Sequence, residues 1–261
     1  AEMVFPEDKP PYAQRPLIGS EADLRKLGRP DPTARGSRMA DRLRAIKILT
    51  DAVGKECLVL GWIDMPFAEA CSLCGVTEFM LMLVDDPVLA HKILDFLTGI
   101  VIDFSLSQVR AGAPMIGAGD AAASLVSPAQ YREFALPYEQ RVVSAVHEAK
   151  GLVKLHICGN TTHLLGDMVK CGADLFNVDH LVPFQSACAE YGRAHKAFKG
   201  NLDPVSDLLQ STPRECEKRC HTRIRQAAGL RFMLSPGCEV PGATPDAVFR
   251  AFCEAPQTKA R

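Results

Sequence analysis

Over the first 36 residues the apolar positions follow no period, and Pro10, Pro11, Pro16, Pro30 and Pro32 interrupt every short run. Proline fixes φ and removes a backbone donor, so residues 1–36 are expected to form an irregular, extended arm. From Ser37 the pattern changes. Short apolar runs at 57–62, 114–118, 152–157, 174–178, 196–199 and 231–234 have the length and composition of buried strands, and helix-like stretches separate them. Ser127-Pro128-Ala129-Gln130 and Thr212-Pro213-Arg214-Glu215 each place a hydroxyl at the N-cap, Pro at the first helical position and Gln or Glu at the third. That is the capping-box order, and Thr244-Pro245-Asp246 repeats the start signal. Leu164, Leu165, Met168 and Val169 predict a helix within 161–171 that ends in a left-handed cap at Gly172.

Strands alternating with helices imply a parallel sheet with crossover connections, an α/β fold. The interval suits a (β/α)8 TIM barrel, which takes about 30 residues per unit and carries its active site at the C-terminal strand ends. Six strands are visible, so the chain is expected to lack two of the eight units. A doubly wound sheet is the other arrangement, but no Gly-rich phosphate loop follows a strand. The domain reading is an arm over 1–36 and a barrel over 37–261.

Composition narrows the classes of function. The chain of 261 residues is 47% hydrophobic and 23% charged, enough to bury a full core. Thirty Lys and Arg against 31 Asp and Glu leave a net charge of -1 without a basic run, so nucleic acid is not an expected partner. No apolar run reaches membrane-spanning length, and the first residues lack a signal-peptide pattern, which makes a cytoplasmic location the default. Ten cysteines in a chain with a large core do not form a disulfide framework, and reduced thiols are expected.

Two distant segments carry the chemistry: Leu155-His156-Ile157-Cys158-Gly159-Asn160 and Ser235-Pro236-Gly237-Cys238-Glu239. Side chains two apart on a strand share a face, so His156 and Cys158 can grip one ion while Cys238 closes the set. Three His and Cys ligands leave the fourth tetrahedral place of zinc open for a substrate. The plain alternative is that each Cys is a small buried hydrophobe and the His a core residue. Asp120, Asp179 and Asn201 also fall at strand ends and are candidate substrate contacts. Asp179 could alternatively fill the fourth zinc place, orient His156, or cap a turn, while Asn201 and Asp203 could equally fix the turn they occupy. Cys71 and Cys74 read as helix packing, and Cys216, Cys220 and His221 as a solvated or half-buried helix face.

The motifs Gly61-Trp62-Ile63-Asp64-Met65-Pro66-Phe67, Gly119-Asp120-Ala121-Ala122, Leu136-Pro137-Tyr138, His156-Ile157-Cys158-Gly159-Asn160, Gly200-Asn201-Leu202-Asp203-Pro204 and Gly237-Cys238-Glu239-Val240-Pro241 resemble the uroporphyrinogen decarboxylase superfamily. More narrowly, they resemble its corrinoid-dependent methyltransferase branch, which includes methylcobamide:coenzyme M methyltransferases. That resemblance implies zinc held by His156, Cys158 and Cys238, a methylated corrinoid (cobalamin) protein as donor and partner, and a thiol such as coenzyme M, or a folate, as acceptor. The alternative is decarboxylation of uroporphyrinogen. True decarboxylases are expected to carry an apolar segment in place of His156-Ile157-Cys158 and Gly-His-Gly in place of Gly237-Cys238-Glu239; their Arg-rich N-terminal motif and Phe-Ser-Asp loop are not found here. A noncatalytic relative or fragment is the third reading. The resemblance also implies two βα units preceding those visible, and a chain without them is expected to keep open sheet edges and to associate with a partner or with itself.

Overall fold

The computed structural model describes residues 3–4, 12–13 and 15–257. The chain divides into two compact units, residues 1–153 with 170–172, and residues 154–169 with 173–261.

The first unit begins with two short antiparallel strands, β1 (Met3–Val4) and β2 (Tyr12–Ala13), and a helix, α1 (Glu21–Lys26). The arm is therefore less irregular than its prolines suggest. Between Pro16 and Pro30 no proline intervenes, and the Ser20 side chain accepts from Asp23 N to start the helix. Helix α2 (Arg38–Val53) leads to β3 (Leu60–Asp64), followed by α3 (Pro66–Cys74), α4 (Val76–Asp85), α5 (Pro87–Arg110) and β4 (Met115–Gly119). A short α6 (Pro128–Gln130) with the expected capping box runs through a π-helical turn into α7 (Leu136–Glu148).

Strand β3 starts three residues later than the apolar run at 57–62, because Glu56 and Cys57 donate back to Val53 and finish the helical turn first. It pairs in parallel with β4, Trp62 opposite Gly117 and Asp64 opposite Gly119. Glycine at both β4 positions leaves the space that the Trp62 indole occupies, since a Cβ at Gly117 would lie 2.6 Å from the ring. On the other edge of β3 the Gln108 side chain accepts from Trp62 N at 2.8 Å and donates to Trp62 O at 3.1 Å, so a side-chain amide takes the place of a neighbouring strand. The core of this unit sets Phe67 edge-on to Phe79, and Ile93, Leu94 and Leu97 of α5 and Val142 and Val146 of α7 are buried as well.

The second unit holds β5 (Leu152–His156, from Lys154 on), α8 (Leu165–Met168), β6 (Leu175–Asn177), α9 (Phe184–Arg193), β7 (Ala197–Leu202), α10 (Pro213–Gln226), β8 (Phe232–Pro236) and α11 (Asp246–Glu254). Strands β5 to β8 pair in parallel in chain order. One face meets the helices: Tyr191 of α9 stacks on Phe176 and Phe198, and Phe184 packs on Phe198 and Phe232. The period of two then assigns Lys154, His156, Asn177, Lys199, Asn201 and Ser235 to the opposite face.

Two boundaries in this unit differ from the sequence reading. Strand β7 continues three residues past 199 because Asn201 and Leu202 still pair with Ser235 and Pro236, so Asn201 lies within the strand rather than beyond it. The helix expected over 161–171 shrinks to α8 and a following 3-10 turn, Val169–Cys171, because Leu164 N bonds Thr161 O and holds the entry as a turn. Gly172 is left-handed as expected, with φ +92. Cys216 and Cys220 do not face solvent: both are fully buried against Leu202, Leu208 and Val248. They act as small apolar residues, as do Cys71 and Cys74 in α3.

Among the described residues no single helix is long and apolar enough to cross a membrane.

Candidate functional site

His156 is the last residue of β5, and Cys158 continues its alternation just past the strand end. Cys238 lies two residues past the end of β8. The His156 Nε2 and the two Sγ atoms all lie within 4.8 Å of one another. Within that group Cys158 Sγ is 3.1 Å from His156 Nε2 and 3.8 Å from Cys238 Sγ. His156 is buried, whereas both thiols are partly exposed. Donor identity and convergence fit a tetrahedral zinc with one place open, since one imidazole and two thiolates are a usual ligand set.

The ring is aimed from behind. His156 Nδ1 lies 3.1 Å from the carbonyl oxygen of Asn177, so Nδ1 carries the proton and Nε2 turns its lone pair toward the thiols. Burial holds the imidazole pKa below its usual value, against the Asn177 carbonyl, which raises it, and with Lys154 lowering it further. A neutral ring is the form that binds metal.

Asn177 also reaches the other arm of the site, its Nδ2 donating to Gly237 O at 3.4 Å. Gly237 N in turn donates to Leu202 O at 2.8 Å. A Cβ on Gly237 would sit 2.3 Å from His180 N and 2.9 Å from the Asp179 carbonyl carbon. Only glycine permits this approach, and it sets where Cys238 stands.

Asp179, expected to reach the metal or to orient His156, does neither by direct bond. Its Oδ2 accepts from Gly159 N at 2.9 Å and its Oδ1 from Leu181 N at 2.8 Å, with His180 Nδ1 3.2 Å away. It ties down the loop that follows Cys158, and the Asn177 carbonyl orients the ring. Asn201 donates through Nδ2 to Val182 O at 2.7 Å and Asp179 O at 3.3 Å, which fixes the β6–α9 loop. Its buried Oδ1 has no partner among the described residues. Asp203 accepts from Val205 N and Ser206 N and caps the next turn. Glu239 is exposed and outside the donor cluster.

Asp120 belongs to the first unit and is fully buried. Its Oδ1 accepts from Ala68 N at 2.8 Å near the start of α3. Its second oxygen faces Glu139, which is equally buried and accepts from the Tyr131 hydroxyl at 2.5 Å. Burial first, and then the Glu139 charge, raise the Asp120 carboxyl well above its usual range, and burial lifts Glu139 to about 7. Two buried carboxyls sharing one proton account for their otherwise unpartnered oxygens. In this structure the Asp120 carboxyl is engaged by Ala68 and Glu139. Glu139 and Asn177 are given no role in the sequence reading, and Tyr131 and Gly237 enter it only as motif positions; Asn177 carried a signal of its own, by standing two residues before Asp179 on one strand face.

Residues 1–258 match the family pattern described as uroporphyrinogen decarboxylase (URO-D). A Methanosarcina mazei protein named methylcobamide:CoM methyltransferase MtbA is 32% identical over 219 residues, covering 83% of this chain and 63% of that one. A Nocardia farcinica uroporphyrinogen decarboxylase is 34% identical over 223 residues, covering 83% and 60%. The chain therefore spans about three fifths of the length of these relatives. A solved methyltransferase from Methanosarcina mazei matches the fold with a TM-score of 0.84 at 24% identity, over 98% of this chain and 74% of the other. With the family pattern running along nearly its whole length and the α/β fold agreeing, the chain belongs to the uroporphyrinogen decarboxylase (URO-D) family.

Proposed function

We propose that this chain acts in zinc-dependent methyl transfer, moving a methyl group from a methylated corrinoid protein to a thiol such as coenzyme M, or to a folate. The observation that carries the reading is the convergence of one imidazole nitrogen and two thiol sulfurs within 4.8 Å. Relatives named as methylcobamide:CoM methyltransferases support it.

His156, Cys158 and Cys238 would hold the metal. Zinc bound there lowers the pKa of a thiol in the open place, so the acceptor is presented as a thiolate at neutral pH. His156 stays neutral through burial and keeps its lone pair on the donor side through Asn177. Asp179 and Asn177 hold the two cysteine loops, which keeps the sulfur donors in place before a substrate arrives. A methylated corrinoid would supply the methyl group and retain the electron pair of its cobalt–carbon bond, and the acceptor thiol would give up its proton to solvent before receiving the methyl. No side chain is methylated on the way.

Uroporphyrinogen decarboxylation is the second reading, supported by the decarboxylases among the relatives. It gives no role to the His156–Cys158–Cys238 cluster. The deciding experiment measures zinc in the purified protein together with methyl transfer from methylcobalamin to a thiol. About one zinc per chain with chelator-sensitive transfer supports the first reading. Decarboxylation of uroporphyrinogen indifferent to chelator supports the second.

A further inference from the structure

Two adjoining cavities of the first unit take no part in the chemistry proposed above. The first, of about 620 Å3, opens beside α2 and is lined by Arg35, Arg38, Arg42 and Arg44. Arg44 pairs with Asp41 at 2.7 Å, whereas no carboxylate among the described residues lies within ion-pair distance of Arg35, Arg38 or Arg42. Arg38 and Arg42 stand four apart on one helix, so their like charges share a face and repel. An anion between them removes that repulsion. Planar, permanently charged guanidinium groups match the oxygens of a phosphate.

The second cavity, of about 420 Å3, shares Arg42 with the first. Leu97, Ile100 and Phe104 of α5 give it apolar walls, and Trp62 of β3 gives it an aromatic one. The indole is set in place beforehand: Gly117 and Gly119 of β4 leave room for the ring, and its N–H donates to Asp64. Trp62 is nevertheless 38% exposed. A fixed, half-covered indole at a cavity wall is a stacking platform for a flat heterocycle. Besides Arg42 and the indole N–H, the polar side chains here are two carboxyls, Asp64 and Glu69. Glu69 is half-buried and makes no hydrogen bond or ion pair among the described residues. Burial, and then the Asp64 charge, raise its carboxyl to about 7. Such an acceptor gains most from N–H donors carried in by a ligand.

We propose that the two cavities form one site for a nucleoside phosphate, with the phosphates on Arg35, Arg38 and Arg42 and the base stacked on Trp62, donating its N–H groups to Glu69. Guanine fits this acceptor best, because its ring N–H and exocyclic amine are adjacent donors that one carboxylate takes together. Each cavity falls within the range of small-molecule sites, roughly 300–1,000 Å3. All the residues involved belong to the first unit, so the site fills whether or not a metal is held by His156, Cys158 and Cys238.

Trp62 is the only tryptophan of the chain, so its fluorescence reports the site directly. The test titrates the full chain with GDP, ADP, guanosine and pyrophosphate, following Trp62 emission and calorimetric heat. GDP should quench the emission and bind about tenfold or more tightly than guanosine or pyrophosphate, since a charge-assisted hydrogen bond and a stacked base each contribute about that factor. Arg38→Gln and Arg42→Gln should each weaken GDP and pyrophosphate about tenfold and leave guanosine unchanged. Glu69→Gln should weaken GDP and guanosine, leave pyrophosphate unchanged and erase the preference for GDP over ADP. Circular dichroism checks that all three variants keep the fold. Failure of GDP to bind at millimolar concentration overturns the site. Equal binding of GDP and pyrophosphate also overturns it, by reducing the arginines to a nonspecific anion patch. Equal affinities of the wild type for GDP and ADP would remove Glu69 as the reader of the base.

Discussion

The backbone carbonyl of Asn177 accepts from His156 Nδ1 at 3.1 Å while the side chain of the same residue donates to Gly237 O, one position before Cys238. One residue on β6 thus governs the aim of the imidazole through its main chain and the placement of the distant cysteine through its side chain. Substitution of Asn177 leaves the first contact and removes the second. Asn177→Ala is expected to weaken zinc binding by about tenfold, as loss of an outer-sphere partner does. Competition with a zinc-chelating dye measures this; an affinity equal to wild type would show that Gly237 is placed by its other bond, to Leu202.

Cys238→Ala should have the larger effect. Two donors on one strand end, His156 and Cys158, hold zinc poorly without a third. Metal analysis after dialysis should fall from about one zinc per chain to a small fraction, with the circular dichroism spectrum unchanged. Retention of a full equivalent would remove the assignment of all three ligands.

Gly237→Ala tests close packing rather than ligation. The added methyl would lie 2.3 Å from His180 N, and the neighbour is backbone, which cannot rotate away. Overpacking of this kind costs about 1–3 kcal/mol. The variant should unfold at a lower denaturant midpoint and bind zinc less tightly, because relief of the clash moves Cys238. A midpoint within error of wild type would mean that the 237–238 loop shifts freely.

Much of this fold was legible before any coordinates. Each of the six apolar runs overlaps one parallel strand, and both capping boxes formed, because strand burial and helix caps are local properties that single residues announce. The metal-type cluster was legible for the same reason: His156 and Cys158 are spaced by the strand period. The contact between Asp120 and Glu139 was not legible, because Glu139 sits 19 residues on within a helix and nothing in a sequence signals that two carboxyls will be buried together. Cys216 and Cys220 were misread because the charged neighbours Arg219 and Glu217 suggested a wet surface, whereas the i, i+4 spacing put both thiols on the one buried face. The Asn177 carbonyl is main chain, and main-chain roles leave no mark on residue identity.

The buried pair of Asp120 and Glu139 ties stability to pH. Both carboxyls are raised by burial in the folded chain, Glu139 to about 7, and both return to ordinary values near 4 when unfolded. A folded-state pKa above the unfolded one means that the contribution is complete below the unfolded value and is lost as pH climbs through the folded value. Of the groups around the pair, the Asp64 charge acts in the same direction on Asp120, whereas the Ala68 amide donating to Asp120 and the Tyr131 hydroxyl donating to Glu139 oppose the rise that burial imposes; Cys71 stays a thiol because burial and then Asp120 push it up to about 12. Unfolding free energy should therefore drop between pH 5 and pH 9 by on the order of 2–3 kcal/mol from Glu139 alone. Asp120→Asn supplies an amide hydrogen to the Glu139 carboxylate and removes the need for a shared proton, so its profile should be flatter across that window and its stability at pH 9 higher relative to wild type than at pH 5. Urea titrations of both proteins at pH 5, 7 and 9 measure the difference. Parallel profiles would mean that the two carboxyls titrate independently of folding, and the shared-proton tether would have to be abandoned.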